Sequence, residues 1–382
     1  MSDARILFVF GTRPEAIKMA PVVHAVAATP GLEARVCVTA QHRQMIDQLM
    51  DWFSLHPDHD LNVMQPGQTL TELTARVLLG LEPVLKAEQP DMVMVQGDTT
   101  TSMAAALAAF YHGIPVGHVE AGLRTHRRDS PFPEEVNRCL TGVLADLHFP
   151  PTLRSQQNLL SEGVDPARVH VTGNTVVDAL LDTAARLDGS DDPALARVRK
   201  ELDAVTDSGR KPLVLITGHR RESFGGGFAN ICAALAELAG RYPDHAFIYP
   251  VHLNPNVQAP VKETLSDLDN VHLWEPLDYL PFVMLMRQAT LVLTDSGGVQ
   301  EEAPSFGVPV LVMREVTERQ EGVEAGVVRL VGTDRDKIVS EAATILDDAD
   351  LRAAWAKVPN PYGDGTAAAR IAAILATEFS DA

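Results

Sequence analysis

The chain has 382 residues, of which 46% are hydrophobic and 22% are charged. This is an ordinary globular composition, which excludes disorder along the whole chain, and the length predicts two or three domains at roughly 150 residues each. The 32 Lys and Arg residues against 51 Asp and Glu residues give a formal net charge of −19. Nucleic acids and anionic membrane surfaces would be repelled by such a chain, so neither is an expected partner.

The cysteines and the N-terminus both predict a reduced, cytoplasmic protein. Cys37, Cys139 and Cys232 are scattered and form no C-x-x-C pattern, so neither a disulfide framework nor a structural zinc site is expected. The apolar run at 6–10 is too short for a signal peptide and leads into a polar turn. No stretch of about 18 apolar residues occurs, so we expect no membrane-spanning segment.

Short apolar runs predict the strands of parallel sheets. They are continuous rather than alternating, which is typical of strands buried on both faces, and Ala/Leu-rich helical patterns such as 101–111 and 228–241 lie between them. The runs are 6–10, 34–39, 92–95, 115–119, 147–149, 169–172, 213–217, 246–249, 271–274, 291–294, 308–313 and 327–330. This alternation predicts an α/β protein with doubly wound parallel sheets.

The number of strands and a break in the middle of the chain predict two domains. The segment 180–210 is polar and helical in pattern and has no strand run, so we place the boundary between 173 and 210. The last segment, 365–382, is a helical pattern with no strand after it. Two such domains are expected to face each other across a cleft, with ligands bound at the carboxyl ends of the strands.

The first strand ends in GTRPEAIKMAP, residues 11–21. Gly11 permits a tight turn, Thr12 can cap the next helix, and Arg13 and Lys18 lie close to its N-terminus, which predicts an anion site. A capped helix with two solvated cations is an equally good interpretation. The pattern is not G-x-G-x-x-G, and no P-loop pattern occurs, so the sequence gives no support to nicotinamide or P-loop nucleotide binding.

Three carboxylates in the first half are candidates for acid and base catalysis. Asp98 ends a strand in QGDTTTS, and Glu120 ends the next strand and opens a long charged connection that contains Glu134. Carboxylates that converge on one wall of a cleft push their pKa values apart, which suits general acid and base roles. The alternatives are that Asp98 only caps a helix and that the connection is a solvated charged loop.

Two strand ends in the second half have the residues of a phosphate site. GHRRESFGGGF, residues 218–228, combines His219, two arginines and three glycines before a helix. DSGGVQEEAPSFG, residues 295–307, offers hydroxyl and N–H donors from Ser296, Gly297 and Gly298, and Glu302 can bond ribose hydroxyls. A surface turn and a Ser-capped helix, respectively, are the alternatives, and the second does not account for both glycines.

Two further candidates are weaker. HPDHD, residues 56–60, has metal-ligand residue types, but it lies in a polar loop and does not end a strand, so a metal there is disfavoured. His252 follows a strand run and is either a cleft residue or an ordinary histidine.

Eight motifs in order resemble the non-hydrolysing UDP-N-acetylglucosamine 2-epimerases over residues 5 to about 332. They are GTRPEAIKMAP, QGDTTTS, HVEAGLRT, PEEVNR, GHRRESFG, DYLPF, DSGGVQEEAP and TERQEG. The resemblance implies a GT-B fold of two Rossmann-like domains. It places a domain with the catalytic carboxylates at 1–175, joined by the C-terminal helix 365–382, and a UDP-binding domain at 176–364.

The same resemblance implies the reaction. UDP-GlcNAc and UDP-ManNAc would be interconverted by elimination of UDP to 2-acetamidoglucal and re-addition, which supplies ManNAc units for cell-envelope or capsular polysaccharide. It also implies a cytoplasmic homodimer that needs no metal and no nicotinamide cofactor. A glycosyltransferase, a hydrolysing epimerase and a non-catalytic sugar-nucleotide sensor are the alternatives, and a modified sugar in place of plain GlcNAc stays open.

Site residues follow from the resemblance by motif. The catalytic candidates are Asp98, Glu120, Glu134 and His219; which carboxylate removes the C2 proton stays open, and His219 would stabilise the departing diphosphate. The UDP-sugar would be bound by Arg13, Lys18, Phe282, Ser296, Gly297, Gly298, Glu302 and Arg319. Some members bind a second UDP-GlcNAc as an activator, at positions matched by Gln41, Gln44, Arg220 and His252. Gly67 stands where some activated members carry arginine, which leaves activation open here.

Overall fold

A computed structural model describes residues 3–39, 43–65, 67–220 and 223–380, without the side chains of 43–46. The chain forms two compact units. Unit 1 comprises Met1–Ala179 and Tyr362–Ala382, and unit 2 comprises Leu180–Pro361.

Unit 1 is built on a six-stranded sheet in the order β3-β2-β1-β4-β5-β6. Its strands are β1 (Ala4–Phe10), β2 (Leu32–Val38), β3 (His59–Asp60), β4 (Met92–Gln96), β5 (Val116–Val119) and β6 (Leu147–Phe149). Its helices are α1 (Arg13–Ala27), α2 (Arg43–Trp52), α3 (Leu70–Glu88), α4 (Thr100–Tyr111), α5 (Glu134–Leu144), α6 (Leu153–Ser161) and α16 (Ala367–Ser380). Helix α7 (Thr175–Leu187) carries the chain across the boundary between the units.

Unit 2 has a second six-stranded sheet in the order β12-β11-β10-β7-β8-β9. Its strands are β7 (Leu213–Thr217), β8 (Ala246–Pro250), β9 (Val271–Trp274), β10 (Ala289–Thr294), β11 (Val310–Val312) and β12 (Val328–Leu330). Its helices are α8 (Pro193–Val205), α9 (Gly226–Arg241), α10 (Pro255–Leu265), α11 (Tyr279–Gln288), α12 (Gly297–Glu302), α13 (Gln320–Glu324), α14 (Arg335–Asp347) and α15 (Ala349–Trp355).

Every pairing between these strands is parallel, which confirms the predicted fold class. The central strands are mostly apolar because helices cover both faces of each sheet; Phe8 and Val292, for example, are fully buried. Parallel strands bring all their carboxyl ends to one edge of a sheet. Residues that follow β1, β4 and β5 therefore share one edge in unit 1, and residues that follow β7 and β10 share one edge in unit 2.

One strand prediction and one loop prediction at the borders of the first sheet are wrong. The run at 169–172 lies beside β6, where the His170 amide donates to the His148 carbonyl at 2.9 Å, but it makes only one isolated bridge rather than a strand. The polar HPDHD segment instead contains the short strand β3, paired with the end of β2 through Cys37 and Val38. A pattern search for apolar runs missed β3 because an edge strand of two residues needs no apolar side chains.

The C-terminal helix α16 packs against α1 within unit 1. Its N-terminus is capped by Asp178, whose two carboxylate oxygens accept from the amides of Ala367 and Ala368 at 3.3 and 2.8 Å. Burial raises the pKa of the Asp178 carboxyl, and the two amide bonds oppose this shift. Among the helices of the described part of the chain, none combines the length and the hydropathy that a membrane crossing requires.

Candidate active site

The turn between β1 and α1 is organised by a buried carboxylate. Thr12 caps α1 as predicted, and Glu15 completes a capping box by accepting from the amides of Thr12 and Gly11 at 2.8 and 3.1 Å. The other oxygen of Glu15 accepts from the hydroxyls of Thr99 and Ser102 at 2.7 and 3.0 Å. Burial raises the pKa of Glu15, and these hydrogen bonds oppose the rise. Glu15 thus ties the turn that carries Arg13 to the start of α4, a role that sequence analysis missed.

Glu120 follows β5 and is held by two donors. Its Oε2 forms an ion pair with Lys18 Nζ from α1 and accepts from Gln96 Nε2, at the end of β4, at 2.7 Å. Glu120 is 8% exposed and has a left-handed backbone with φ of 60°, which is uncommon for a residue other than glycine. Lys18, which sequence analysis placed among the anion-binding residues, is therefore the partner of a catalytic candidate in this structure.

Asp98 is fixed in a similar way by a different cation. Arg138 of α5 forms an ion pair with Asp98 Oδ2, and Asn137 Nδ2 donates to the Asp98 carbonyl at 3.0 Å. The interpretation of Asp98 as a helix cap is wrong, because the Thr99 hydroxyl caps α4 by accepting from the Ser102 amide at 3.0 Å. Arg138 was not among the predicted residues, although it lies one turn beyond Glu134 in the same motif.

The long connection between β5 and α5 contains a buried carboxylate that anchors it and an exposed, solvated ion pair. Glu135 is 2% exposed and accepts from the amides of Thr125 and His126 at 3.0 and 2.8 Å, which fixes the connection. Arg127 and Asp129 pair with each other at 3.2 Å on the exposed side. Glu134 is the first residue of α5 and is half-buried, and within the described part of the chain its carboxylate has no hydrogen-bonding or ionic partner.

In unit 2, His219 follows β7 and lies beside Asp295, which follows β10. The carboxylate Oδ2 of Asp295 accepts from the amides of His219 and Arg220 at 2.7 and 2.8 Å, and its Oδ1 lies 3.4 Å from His219 Nδ1. The ring of His252 stacks on His219 with centroids 5.3 Å apart. Burial lowers the pKa of His219, and the Asp295 charge opposes that shift, while Arg220 and His252 add to it.

The DSGG turn places backbone groups against an arginine. Ser296 is the N-cap residue of α12, but its side chain makes no capping bond, so the Ser-capped helix is wrong as an account of this turn. A Cβ atom at Gly297 would lie 2.9 Å from Arg319 Cζ, so a larger residue here would require the Arg319 side chain to shift. Arg319 pairs with Glu301 at 2.9 Å and with Glu318.

Glu318 belongs to a local charge network in unit 2. Burial would raise the pKa of its carboxyl, but Arg319 and Arg314 hold that pKa at about 2. Glu302 and Phe282, the other predicted nucleotide contacts, are both half-buried, on α12 and α11. This cluster of cations beside a glycine turn suits a diphosphate.

The four residues predicted for an activator site are only partly described. Gln41 and the side chain of Gln44 lie outside the described residues. Arg220 is half-buried, and its Nε is buried without a hydrogen-bond partner in the part of unit 2 that the structure describes. His252 is exposed, and its ring contacts His219.

The HPDHD side chains are engaged in structural contacts. Asp58 accepts from Arg35 Nη1 at 2.7 Å, and His59 Nε2 lies 2.7 Å from Glu88. Across residues 3–39, 43–65, 67–220 and 223–380, no group of three or more His, Cys, Asp or Glu residues is placed to hold a metal ion.

Comparison with known proteins identifies the family. The family model described as UDP-N-acetylglucosamine 2-epimerase matches residues 24–376. The chain is 58% identical to the UDP-N-acetylglucosamine 2-epimerase of Escherichia coli over 370 residues, which cover 96% of this chain and 97% of that protein.

Solved structures agree. The UDP-GlcNAc 2-epimerase of Neisseria meningitidis, solved bound to UDP-GlcNAc, matches with a TM-score of 0.88 and 47% identity over 98% of this chain and all of that one. A glycotransferase of kitacinnamycin matches with a TM-score of 0.64 at 14% identity, over 99% of this chain and 100% of that one, which shows the shared fold alone. The GT-B fold and the family resemblance stated from the motifs are thereby confirmed, and the chain belongs to the UDP-N-acetylglucosamine 2-epimerase family of isomerases.

Proposed function

We propose that this protein interconverts UDP-GlcNAc and UDP-ManNAc by elimination and re-addition of UDP. Unit 1 would supply the acid and base carboxylates, and unit 2 would bind the diphosphate and ribose. The observation that carries the proposal is the pair of fixed carboxylates in unit 1, Glu120 on Lys18 and Asp98 on Arg138. Each is held in place by a cation from another element, and acid and base groups must be fixed within hydrogen-bond reach of the atoms they serve.

The chemistry of the sugar explains why the reaction needs both acid and base carboxylates and a group of residues that binds the diphosphate. The hydrogen at C2 is poorly acidic because C2 is not next to a carbonyl. A base removes this proton, the C–H electron pair forms the C1=C2 double bond, and the C1–O bond breaks as UDP departs. Addition of UDP to C1 with proton delivery to the other face of C2 then gives the epimer. Asp98, Glu120 and Glu134 are the groups from which the acid and the base are drawn.

The departing diphosphate needs charge stabilisation, which unit 2 can supply. The residues proposed to stabilise this charge follow strand ends in unit 2: His219, Arg319 and the amides of Ser296, Gly297 and Gly298. Glu302 would bond the ribose. Arg13 at the start of α1 and Phe282 of α11 complete the proposed set of contacts. Donors aimed at developing charge commonly contribute about 10²–10³ in rate.

Turnover in D₂O tests the proposal. Incubation with UDP-GlcNAc alone, followed by NMR, should give UDP-ManNAc with deuterium at C2, because a carboxylate that has taken the proton exchanges it with solvent. Formation of UDP-ManNAc without deuterium at C2 would overturn the elimination route. Release of free ManNAc would indicate a hydrolysing epimerase, and no reaction until an acceptor is added would indicate a glycosyltransferase.

A homodimer is supported by an apolar surface on unit 1. Helix α3 packs on α4 and α4 on α5, and each carries exposed apolar side chains. We call this the α3–α5 face; its exposed residues are Leu79, Phe110, Tyr111, Leu140 and Val143. Apolar groups on neighbouring helices mark interaction sites, and a second copy of this chain is the partner that we propose.

The cellular role follows from the proposed product. A cytoplasmic enzyme that makes UDP-ManNAc would supply ManNAc units for envelope or capsular polysaccharide. Binding of a second UDP-GlcNAc near Gln41, Gln44, Arg220 and His252 is part of the proposal, and the contact of His252 with His219 is its only support within the described residues.

A further inference from the structure

The turn that carries His219 is held from two sides by buried groups. Tyr249 Oη, at the end of β8, donates to the Gly218 carbonyl at 2.7 Å. Asp295 Oδ2 accepts from the next two amides, those of His219 and Arg220. A Cβ atom at Gly218 would lie 3.0 Å from Tyr249 Oη, so this close approach favours glycine. The backbone of the turn is therefore fixed independently of any ligand.

Asp295 also faces the imidazole. Its side chain is fully buried, and its Oδ1 lies 3.4 Å from His219 Nδ1. Within the described residues no hydrogen bond satisfies Oδ1, and the imidazole Nδ1 is close enough to supply one after a small adjustment. A small rotation of His219 would close this contact and leave Nε2 as the ring nitrogen for a ligand.

The charges around His219 oppose one another. Asp295, on the loop after β10, favours the protonated ring. Arg220 on the same turn and His252 after β8 disfavour it, and burial disfavours it most. Asp295 is thus the one anionic group among these influences. A buried carboxylate beside an imidazole fixes its tautomer and supports the imidazolium when charge develops, as in other acid–base dyads.

We propose that Asp295 is a positioning residue for His219, which orients the imidazole through Nδ1 and stabilises its protonated form as the diphosphate departs. This inference rests on the proposed function for the part that concerns turnover. The orientation of the ring is a property of the free protein, so it can be measured without any reaction.

The test compares Asp295→Asn with Tyr249→Phe in histidine-labelled protein by NMR, with the His219 signals assigned by their loss in His219→Asn. Both variants remove a contact to the same turn, but only Asp295→Asn removes the charge. In the unmodified protein we expect neutral His219 to carry its proton on Nδ1. The titration midpoint of His219 should move to lower pH in Asp295→Asn and stay in place in Tyr249→Phe.

Kinetics should follow the same pattern. Asp295→Asn should lower kcat by about a hundredfold with a smaller change in KM, and the alkaline limb of the kcat profile should move to lower pH. An unchanged His219 midpoint in Asp295→Asn would overturn the proposal. If that variant does not fold, a neutral His219 with its proton on Nε2 in the unmodified protein would overturn it instead. A correct tautomer and midpoint in a protein that does not epimerise UDP-GlcNAc would leave the dyad standing and refute the proposed function.

Discussion

At the scale of single residues, each fixed catalytic candidate in unit 1 depends on one cation. Arg138 is 8% exposed and contacts both Asp98 and Glu135. Removing it would leave two partly or fully buried carboxylates without their cation, and such losses typically cost about 3–5 kcal/mol of pairing and desolvation energy. Orientation of Asp98 would be lost at the same time.

Replacing Arg138 therefore should affect both activity and stability. We expect Arg138→Met to lower kcat by about 10²-fold, because a misplaced acid–base group commonly costs that much, and to lower the free energy of unfolding. Arg127→Met is the matched control, since among the described residues the Arg127 side chain pairs with exposed Asp129 alone, and it should stay close to the unmodified protein in both measurements. Steady-state kinetics and urea unfolding of the two variants test this expectation. Equal activity in Arg138→Met and Arg127→Met would show that Asp98 does not need Arg138 to hold it in place.

The sequence predicted which strand ends carry polar side chains, but not which partners those side chains would have. Thr12 was predictable as a cap because a capping residue acts on amides two or three positions away. Arg138, Gln96 and Asp295 were missed because their partners lie at Asp98, Glu120 and His219, far along the chain. Only the folded sheet brings such pairs together, since it aligns strand ends that a motif treats separately.

At the scale of elements, the buried strands were predictable because both faces are covered and most of their side chains are apolar. The exceptions are instructive. Edge strand β3 is polar, and the run at 169–172 is apolar without forming a strand. A further exception lies inside β5 and β6, where two histidines, His118 and His148, face each other as register partners and are each 1% exposed.

These two histidines should make unit 1 sensitive to acid. Burial lowers the pKa of His118 to about 3 and that of His148 to about 4, and Arg124 adds to both shifts. Arg138 also lowers the pKa of His118, whereas Asp146 and Glu162 partly oppose the shift of His148. In the unfolded chain both would titrate near pH 6.5. The unfolded state therefore binds protons first, and the free energy of unfolding should fall as pH decreases from about 6.5 towards 4.

The expected loss is about 2 kcal/mol for each histidine between pH 7.5 and 5. It can be measured by urea unfolding at the two pH values. His118→Gln is the informative variant, because the amide can still donate to the Gly97 carbonyl, which His118 Nε2 contacts at 2.7 Å. Between pH 7.5 and 5, the histidine-dependent fall in the free energy of unfolding should be about half as large in this variant as in the unmodified protein. The same pH dependence in both proteins would mean that other groups cause it.

At the scale of the whole molecule, the two units repeat one architecture but differ in what their surfaces carry. Each unit has a six-stranded parallel sheet. The strand that comes first along the chain in each unit, β1 or β7, lies in the centre of its sheet. In unit 1 the α3–α5 face exposes several large apolar side chains, among them Val143, which is 84% exposed. Such side chains are destabilising in water and become favourable when a partner covers them, by about 25 cal/mol for each Å² of apolar surface removed from water.

A charge placed on the α3–α5 face should separate the proposed dimer. We expect the unmodified protein to sediment as a species of twice 41.3 kDa, and Val143→Glu or Leu79→Glu to shift it towards the monomer, because a buried unpaired carboxylate opposes association. Val316→Glu is the control, since Val316 is an exposed apolar residue of unit 2, and it should leave the mass unchanged. Analytical ultracentrifugation of the three variants separates the outcomes. Dimers that persist in both unit 1 variants would place the interface elsewhere, and a monomeric unmodified protein would refute the proposed assembly itself.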